Sequence, residues 1–202
     1  MKHIPNAITI LRILLVPLCM YLMYSEYPYA FIFATFFFIV ASVTDILDGY
    51  IARKYKLVSN IGKVLDPVAD KIIVTAAMVV LVDLDLVPAW LVVLMLFRDF
   101  AVGALRDVAS ASGTIIAAGF WGKMKTIFQM VALSCIIFNH DLPVFPPFGI
   151  NRYPDGSIYI VSSFALPVYE IGMGILYVSL ALSIYSGIIY FKNFVHGMKG
   201  KL

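Results

Sequence analysis

Four aspartates and an arginine stand close together in a chain otherwise poor in charge: Asp45, Asp48, Arg53, Asp66 and Asp70, all within residues 44–71. Their spacing is helical. Asp45, Asp48, Gly49, Ala52 and Arg53 recur at steps of three and four, so on a helix they share one face. Gly62, Asp66 and Asp70 step by four and share another. Gly49 and Gly62 remove side chains where something must approach closely. Pro67 suits the first turn of a helix or a kink, which makes the backbone around Asp66 the least regular part of the stretch. Two faces that each carry two carboxylates can converge across a tight connection.

Charge limits what such a cluster can do. One carboxylate at the centre of a membrane helix costs about 2.5–3.5 kcal/mol, so four cost on the order of 10 kcal/mol unless solvated or neutralised. Two divalent cations would cancel four carboxylates. The donors are hard oxygens with no histidine or cysteine among them, which favours Mg²⁺, Mn²⁺ or Ca²⁺ over zinc. Mg²⁺ usually binds through carboxylates together with substrate phosphates, so the set points to a phosphate-bearing ligand with Arg53 as a partner for it. The residues alone leave three readings open. They are a solvated interfacial cluster paired with Arg53 and nearby lysines, an ion or proton pathway, and a two-metal phosphotransfer site.

Other polar residues are candidates for holding such a ligand. Asn6, Thr9 and Arg12 fall within about 120° of one helical face. They could flank a nucleotide, or they could be a capping Asn and a snorkelling Arg. Arg98 and Arg106 lie about 80° apart in helical phase and roughly 12 Å apart along the axis, so they can serve different groups on a related face. Asp99 can pair with one of them. Lys123 and Lys125 point about 200° apart on a helix, so at most one should face a site unless that segment is a turn. The other would snorkel or meet anionic headgroups. Lys54 and Lys56 read as an anionic-lipid patch. Cys19 and Cys135 sit in apolar runs and read as small buried hydrophobes.

The elements that must position these residues are membrane helices. Of 202 residues, 62% are hydrophobic and 13% charged. About 25% charged is usual in a soluble domain, so the class is an all-α integral membrane protein of one domain, residues 1–202. A net charge of +3, with dispersed basic residues, argues against a nucleic-acid partner. Six apolar runs are long enough to be spans. They cover residues 7–24, 29–51, 61–82, 88–109, 122–138 and 166–191. The proline-rich connection 139–167 holds no regular span, and "SIYIVSSF" within it suits a short strand or an interfacial segment. Arg12 interrupts the first run and no small-residue cleavage site follows it, so this run reads as retained. Lysine and arginine gather almost entirely on one side of the six-span arrangement, with only Arg152 on the other. That places both termini and the acidic stretch on the cytoplasmic side of the plasma membrane.

The full pattern is Asp45-x-x-Asp48-Gly49-x-x-Ala52-Arg53, eight residues, then Gly62-x-x-x-Asp66-x-x-x-Asp70. It resembles the signature of the CDP-alcohol phosphatidyltransferase family at every defined position, and the family's six-helix membrane architecture is similar to the span count. The resemblance implies a two-Mg²⁺ centre with Asp45, Asp48, Asp66 and Asp70 as ligands and Asp70 also as general base. It implies that Gly49, Arg53 and Ser59 hold the cytidine diphosphate portion of CDP-diacylglycerol, with Asn6 and Thr9 beside it. "IPNAITILRI", "RDFAVGALR" and "WGKMKT" resemble the family's phosphatidylglycerophosphate-forming members. This implies glycerol 3-phosphate as acceptor, with Arg98, Arg106, Lys123 and Lys125 for its phosphate. Inositol 1-phosphate is the competing acceptor, and a cation transporter is the competing class. The family also implies a homodimer embedded among membrane lipids.

Overall fold

The computed structural model describes the backbone of residues 4–27, 29–55, 62–112, 119–139, 149–152, 158–161 and 167–199. Side chains are described over residues 11–27, 29–44, 71–112, 119–139 and 167–197. Six helices dominate: α1 (Ile4–Met23), α2 (Ala30–Tyr55), α3 (Gly62–Asp83), α4 (Ala89–Ala111), α5 (Phe120–Asn139) and α6 (Val168–Lys199). Each coincides with one apolar run of the sequence. The last goes further than its run, carrying the basic segment after Phe191 as helix to Lys199. The backbone is helical through Pro67, which therefore lies inside α3.

The expectation of an all-helical chain needs one correction. The connection between α5 and α6 contains an antiparallel pair, β1 (Gly149–Arg152) and β2 (Ile158–Val161), with Gly149 opposite Val161 and Arg152 opposite Ile158. The β-branched and aromatic residues of Ile158–Val161 favour a pleated strand, and the Pro-Asp-Gly between the strands is a turn sequence.

Inward stripes follow the helical repeat. α1 buries Arg12, Val16, Cys19 and Met23. α2 turns small residues inward at Ala30, Ala34, Thr35, Ala41 and Ser42, around Phe31 and Phe38. α6 buries Leu176, Ser179, Ser183, Ser186 and Tyr190. Small side chains let helix backbones approach closely, the usual packing device where helices lack a hydrophobic drive to associate. One continuous apolar core takes residues from all six helices. α5 and α6 form its most extensive helix pair.

The outward faces are apolar too. Leu14, Phe33, Phe36, Trp90, Val93, Phe97 and Phe100 are all exposed. Among the described residues one helix, Val168–Gly197, is long and apolar enough to cross a membrane, and Leu11–Met23 and Ala30–Thr44 are shorter apolar segments.

The turns at one end are tied together. α3 stops in a Schellman arrangement: the Asp85 N–H donates to the Val82 carbonyl and the Leu86 N–H to Leu81. Asp85 takes the left-handed conformation (φ 56°) where glycine is common. The Tyr169 hydroxyl donates to the Leu86 carbonyl at 2.8 Å, and the Tyr24 hydroxyl donates to Asp83 at 2.7 Å. The first turn of α6 carries Glu170, a favourable place for negative charge. The opposite end of the bundle is left to the polar residues.

Candidate active site

At that opposite end, α3, α4, α5 and α6 surround a cavity of about 340 Å³. Alternation of helix direction brings together the early turns of α3 and α5 and the later turns of α4 and α6. Among the described residues, five basic side chains line the cavity: Lys71, Arg98, Arg106, Lys123 and Lys125. Asp99 is the one carboxylate among its described lining residues. Among the described lining residues the excess of positive charge, in a recess walled by low-dielectric helices, favours an anion beside them.

The cations are held in different ways. Lys125 is buried, 4% exposed, and its ammonium donates to Asp99 Oδ2 at 2.5 Å. The other carboxylate oxygen of Asp99 accepts from Arg98 Nη1 at 3.0 Å. Arg98 is further fixed to α6: its Nε donates to the Ser183 carbonyl at 2.7 Å, and its Nη2 to the Ser186 hydroxyl. Ser179 joins α6 to α5 by donating to the Lys125 carbonyl at 3.0 Å. A buried ammonium without a counter-charge costs several kcal/mol, so Asp99 is what lets Lys125 sit there charged. Arg106 lies over the Tyr190 ring at 5.8 Å, and Lys71 near the Phe100 ring at 6.0 Å. Gly103 lets Lys71 come against α4, since a Cβ there would stand 3.2 Å from its nitrogen.

The expected acceptor-phosphate residues thus meet in one place. Arg98, Arg106, Lys123 and Lys125 all line the same cavity, although Lys123 is exposed where Lys125 is buried. The spacing let at most one of the two lysines face a site on a helix, whereas both line this cavity, Lys125 buried within it and Lys123 exposed. Asp99 pairs with Arg98, as expected of it, and with Lys125 as well. Arg12 is 2% exposed, which excludes the snorkelling alternative for it.

The acidic motif has its helical setting, and its side chains lie outside the described residues. Asp45, Asp48, Gly49 and Arg53 are on the last turns of α2, and Asp66 and Asp70 on the first turns of α3. Asn6 and Thr9 are on the first turns of α1, with side chains likewise outside the described residues. Ser59 lies outside them altogether. The link to the cavity is Lys71, which lines it and directly follows Asp70 in the chain.

A family model described as CDP-alcohol phosphatidyltransferase matches residues 2–185. The chain belongs to the CDP-alcohol phosphatidyltransferase family. It is similar to a Bacillus subtilis protein named CDP-diacylglycerol–glycerol-3-phosphate 3-phosphatidyltransferase, 43% identical over 71% of this chain and 80% of that one. A Rickettsia typhi protein of the same name is 34% identical over 95% of this chain and 97% of its own length. A rice protein named cardiolipin synthase (CMP-forming) is 33% identical over 94% of this chain and 56% of its own.

Sequence reasoning missed several members of the cavity. Lys71 carried a signal, being next to Asp70 and one of few lysines inside an apolar helix. Ser186 and Tyr190 carried none, because a polar residue such as serine on an apolar helix reads first as a packing residue. Within α6 the Ser186 hydroxyl donates to the Ser183 carbonyl, and only the approach of α6 to α4 brings it Arg98.

Proposed function

We propose that this protein transfers the phosphatidyl group of CDP-diacylglycerol to glycerol 3-phosphate, giving phosphatidylglycerophosphate and CMP. The observation that carries the acceptor reading is the convergence of Arg98, Arg106, Lys123, Lys125 and Lys71 on one cavity that begins at the residue after Asp70. A relative of a different printed name lies at 33% identity, so the acceptor is read from the charge of the cavity rather than from overall similarity. An anionic acceptor fits it and an uncharged alcohol does not use it. The chain acts as one domain of six spans in the plasma membrane, with its site and both termini on the cytoplasmic side. Apolar residues on the outward faces support immersion in lipid. Homodimerisation is the family's implication and is part of the same proposal.

Asp45, Asp48, Asp66 and Asp70 fit a divalent-metal pair. They are all carboxylates, and by their spacing they stand about one turn apart on the last turns of α2 and the first turns of α3. Mg²⁺ is the metal this donor set suits, with Mn²⁺ next. Bound there, the metal pair would supply neutralisation of the pyrophosphate charge. The chain's own residues do the rest. Gly49, Arg53 and Ser59 hold the cytidine diphosphate portion, with Asn6 and Thr9 beside it. Arg98, Arg106, Lys123 and Lys125 hold the acceptor phosphate and so orient its hydroxyl. Asp70 takes the proton of that hydroxyl. The oxygen then forms a bond to the phosphorus bearing diacylglycerol, the bond from that phosphorus to the bridging oxygen breaks, and CMP leaves.

The test is an acceptor panel with purified protein in detergent, CDP-diacylglycerol and Mg²⁺, reading CMP release. Turnover with glycerol 3-phosphate and little with inositol 1-phosphate is the expected result. The reverse preference would reject the acceptor, and ion flux in vesicles without CMP release would reject the reaction class.

A further inference from the structure

We infer that Asp99 is a positioning residue for the acceptor phosphate. It acts through Arg98 and Lys125 rather than by touching substrate. The inference rests on the reading of the cavity as the acceptor site and adds to it a residue of the same charge sign as the anion.

The argument is a donor count. A lysine ammonium has three N–H donors and a guanidinium has five. Lys125 gives one to Asp99 Oδ2, and no second protein acceptor for it occurs among the described residues. Arg98 gives one each to Asp99 Oδ1, the Ser183 carbonyl and the Ser186 hydroxyl. Two donors of each cation therefore remain, and both side chains line the cavity. The two oxygens of Asp99 are divided between the cations, one each, so a single carboxylate fixes the separation of a guanidinium on α4 and an ammonium on α5. A phosphate dianion offers several acceptor oxygens and matches the four remaining donors.

Asp99 also answers a question of charge. It is only partly covered, its side chain 23% exposed, while the Lys125 side chain is 5% exposed. Burial bears on the lysine more than on its partner. Without Asp99 the ammonium would sit in a recess among four other cations, driven to swing out or lose its proton. Either outcome removes donors from the phosphate. Asp99 thus keeps the site cationic where the phosphate lies, although by itself it lowers the net charge of the cavity. Arg98 has α6 as a second anchor and is less dependent on it.

The experiment is steady-state kinetics of Asp99→Asn, Asp99→Glu, Lys125→Met and Arg98→Met in purified detergent-solubilised protein. The competitive inhibition constant of inorganic phosphate against glycerol 3-phosphate is measured beside them. Asp99→Asn should raise the KM for glycerol 3-phosphate and the phosphate inhibition constant on the order of tenfold, the usual effect of losing a charge-assisted hydrogen bond. The KM for CDP-diacylglycerol should stay within about twofold, and kcat should fall less than KM rises. Asp99→Glu should recover part of the loss. In the Lys125→Met background the Asp99→Asn effect should largely vanish, since the two act as one unit. A lower KM in Asp99→Asn would overturn the inference and make Asp99 an electrostatic brake. Equal losses for both substrates, with lowered thermal stability, would reduce it to a structural residue. If Lys125→Met and Arg98→Met leave the glycerol 3-phosphate KM unchanged, the reading of the cavity fails instead.

Discussion

Among the described glycines, Gly172 should be the one where an added methyl group does most harm to the bundle, and Gly174 is a control two residues away. A Cβ built on Gly172 would stand 2.9 Å from Ile136 Cγ1, 3.0 Å from Cys135 Cβ and 3.2 Å from the Ala132 carbonyl oxygen. Carbon atoms in contact normally lie about 3.5–4.0 Å apart, so the two carbon contacts fall short by roughly half an ångström or more, and the contact with the carbonyl oxygen is tight as well. Two of the three atoms belong to the α5 backbone or its first side-chain carbon and cannot rotate away. The helices must separate, and α5 and α6 are the most extensive pair in the fold. Overpacking of this kind costs about 1–3 kcal/mol. A Cβ on Gly174 would meet nothing within 4 Å. Replacing either glycine by alanine gains the same helical preference, about 1 kcal/mol. That gain cancels when Gly172→Ala is compared with Gly174→Ala, leaving the overpacking cost alone. Thermal unfolding in detergent, with both variants prepared identically, should therefore place Gly172→Ala lower by about 1–3 kcal/mol, a separation of several degrees. Gly172 lies about 21 Å along α6 from Ser186, so the KM for glycerol 3-phosphate of the folded protein should not change. Equal unfolding temperatures for the two variants would refute the close approach of α5 and α6.

Further outcomes follow from the site. Asp45→Asn or Asp66→Asn should abolish Mg²⁺-dependent CMP release, and full activity in either would remove the metal assignment. Asp70→Asn should keep CDP-diacylglycerol binding, measured by equilibrium retention of radiolabelled donor, while turnover is lost; turnover near the parent's would reassign the base. Lys123→Ala should raise the KM for glycerol 3-phosphate less than Lys125→Ala does, because the exposed lysine is screened by water and salt. A larger effect at Lys123 would put the phosphate at the rim rather than inside.

Much of this protein was legible in its sequence because long apolar runs simplify the code. In lipid a spanning backbone must satisfy its own hydrogen bonds, so apolar runs of about 20 residues become helices. The six runs and the six helices agree to within a few residues at most ends. α6 overran its expected end, since Lys192 to Lys199 hold no proline and a drop in hydropathy does not by itself stop a helix. The strand pair beyond α5 was legible only as a possibility, because four residues of β-forming sequence declare a strand only when a partner is known.

The aspartate motif shows the other side of the same division. Local spacing on one helix fixes which residues share a face, so the sequence by itself determined that Asp45 and Asp48, and Asp66 and Asp70, stand in pairs. It also named Arg98, Arg106, Lys123 and Lys125 as cations in need of a partner. Only the tertiary structure decided that these four, with Lys71, meet around one cavity, that Asp99 bridges Arg98 on α4 to Lys125 on α5, and that Ser186 of α6 completes the guanidinium's partners. Phase along a helix is set by the local 3.6-residue repeat, whereas the angle at which one helix faces another is set by packing between residues far apart in the chain.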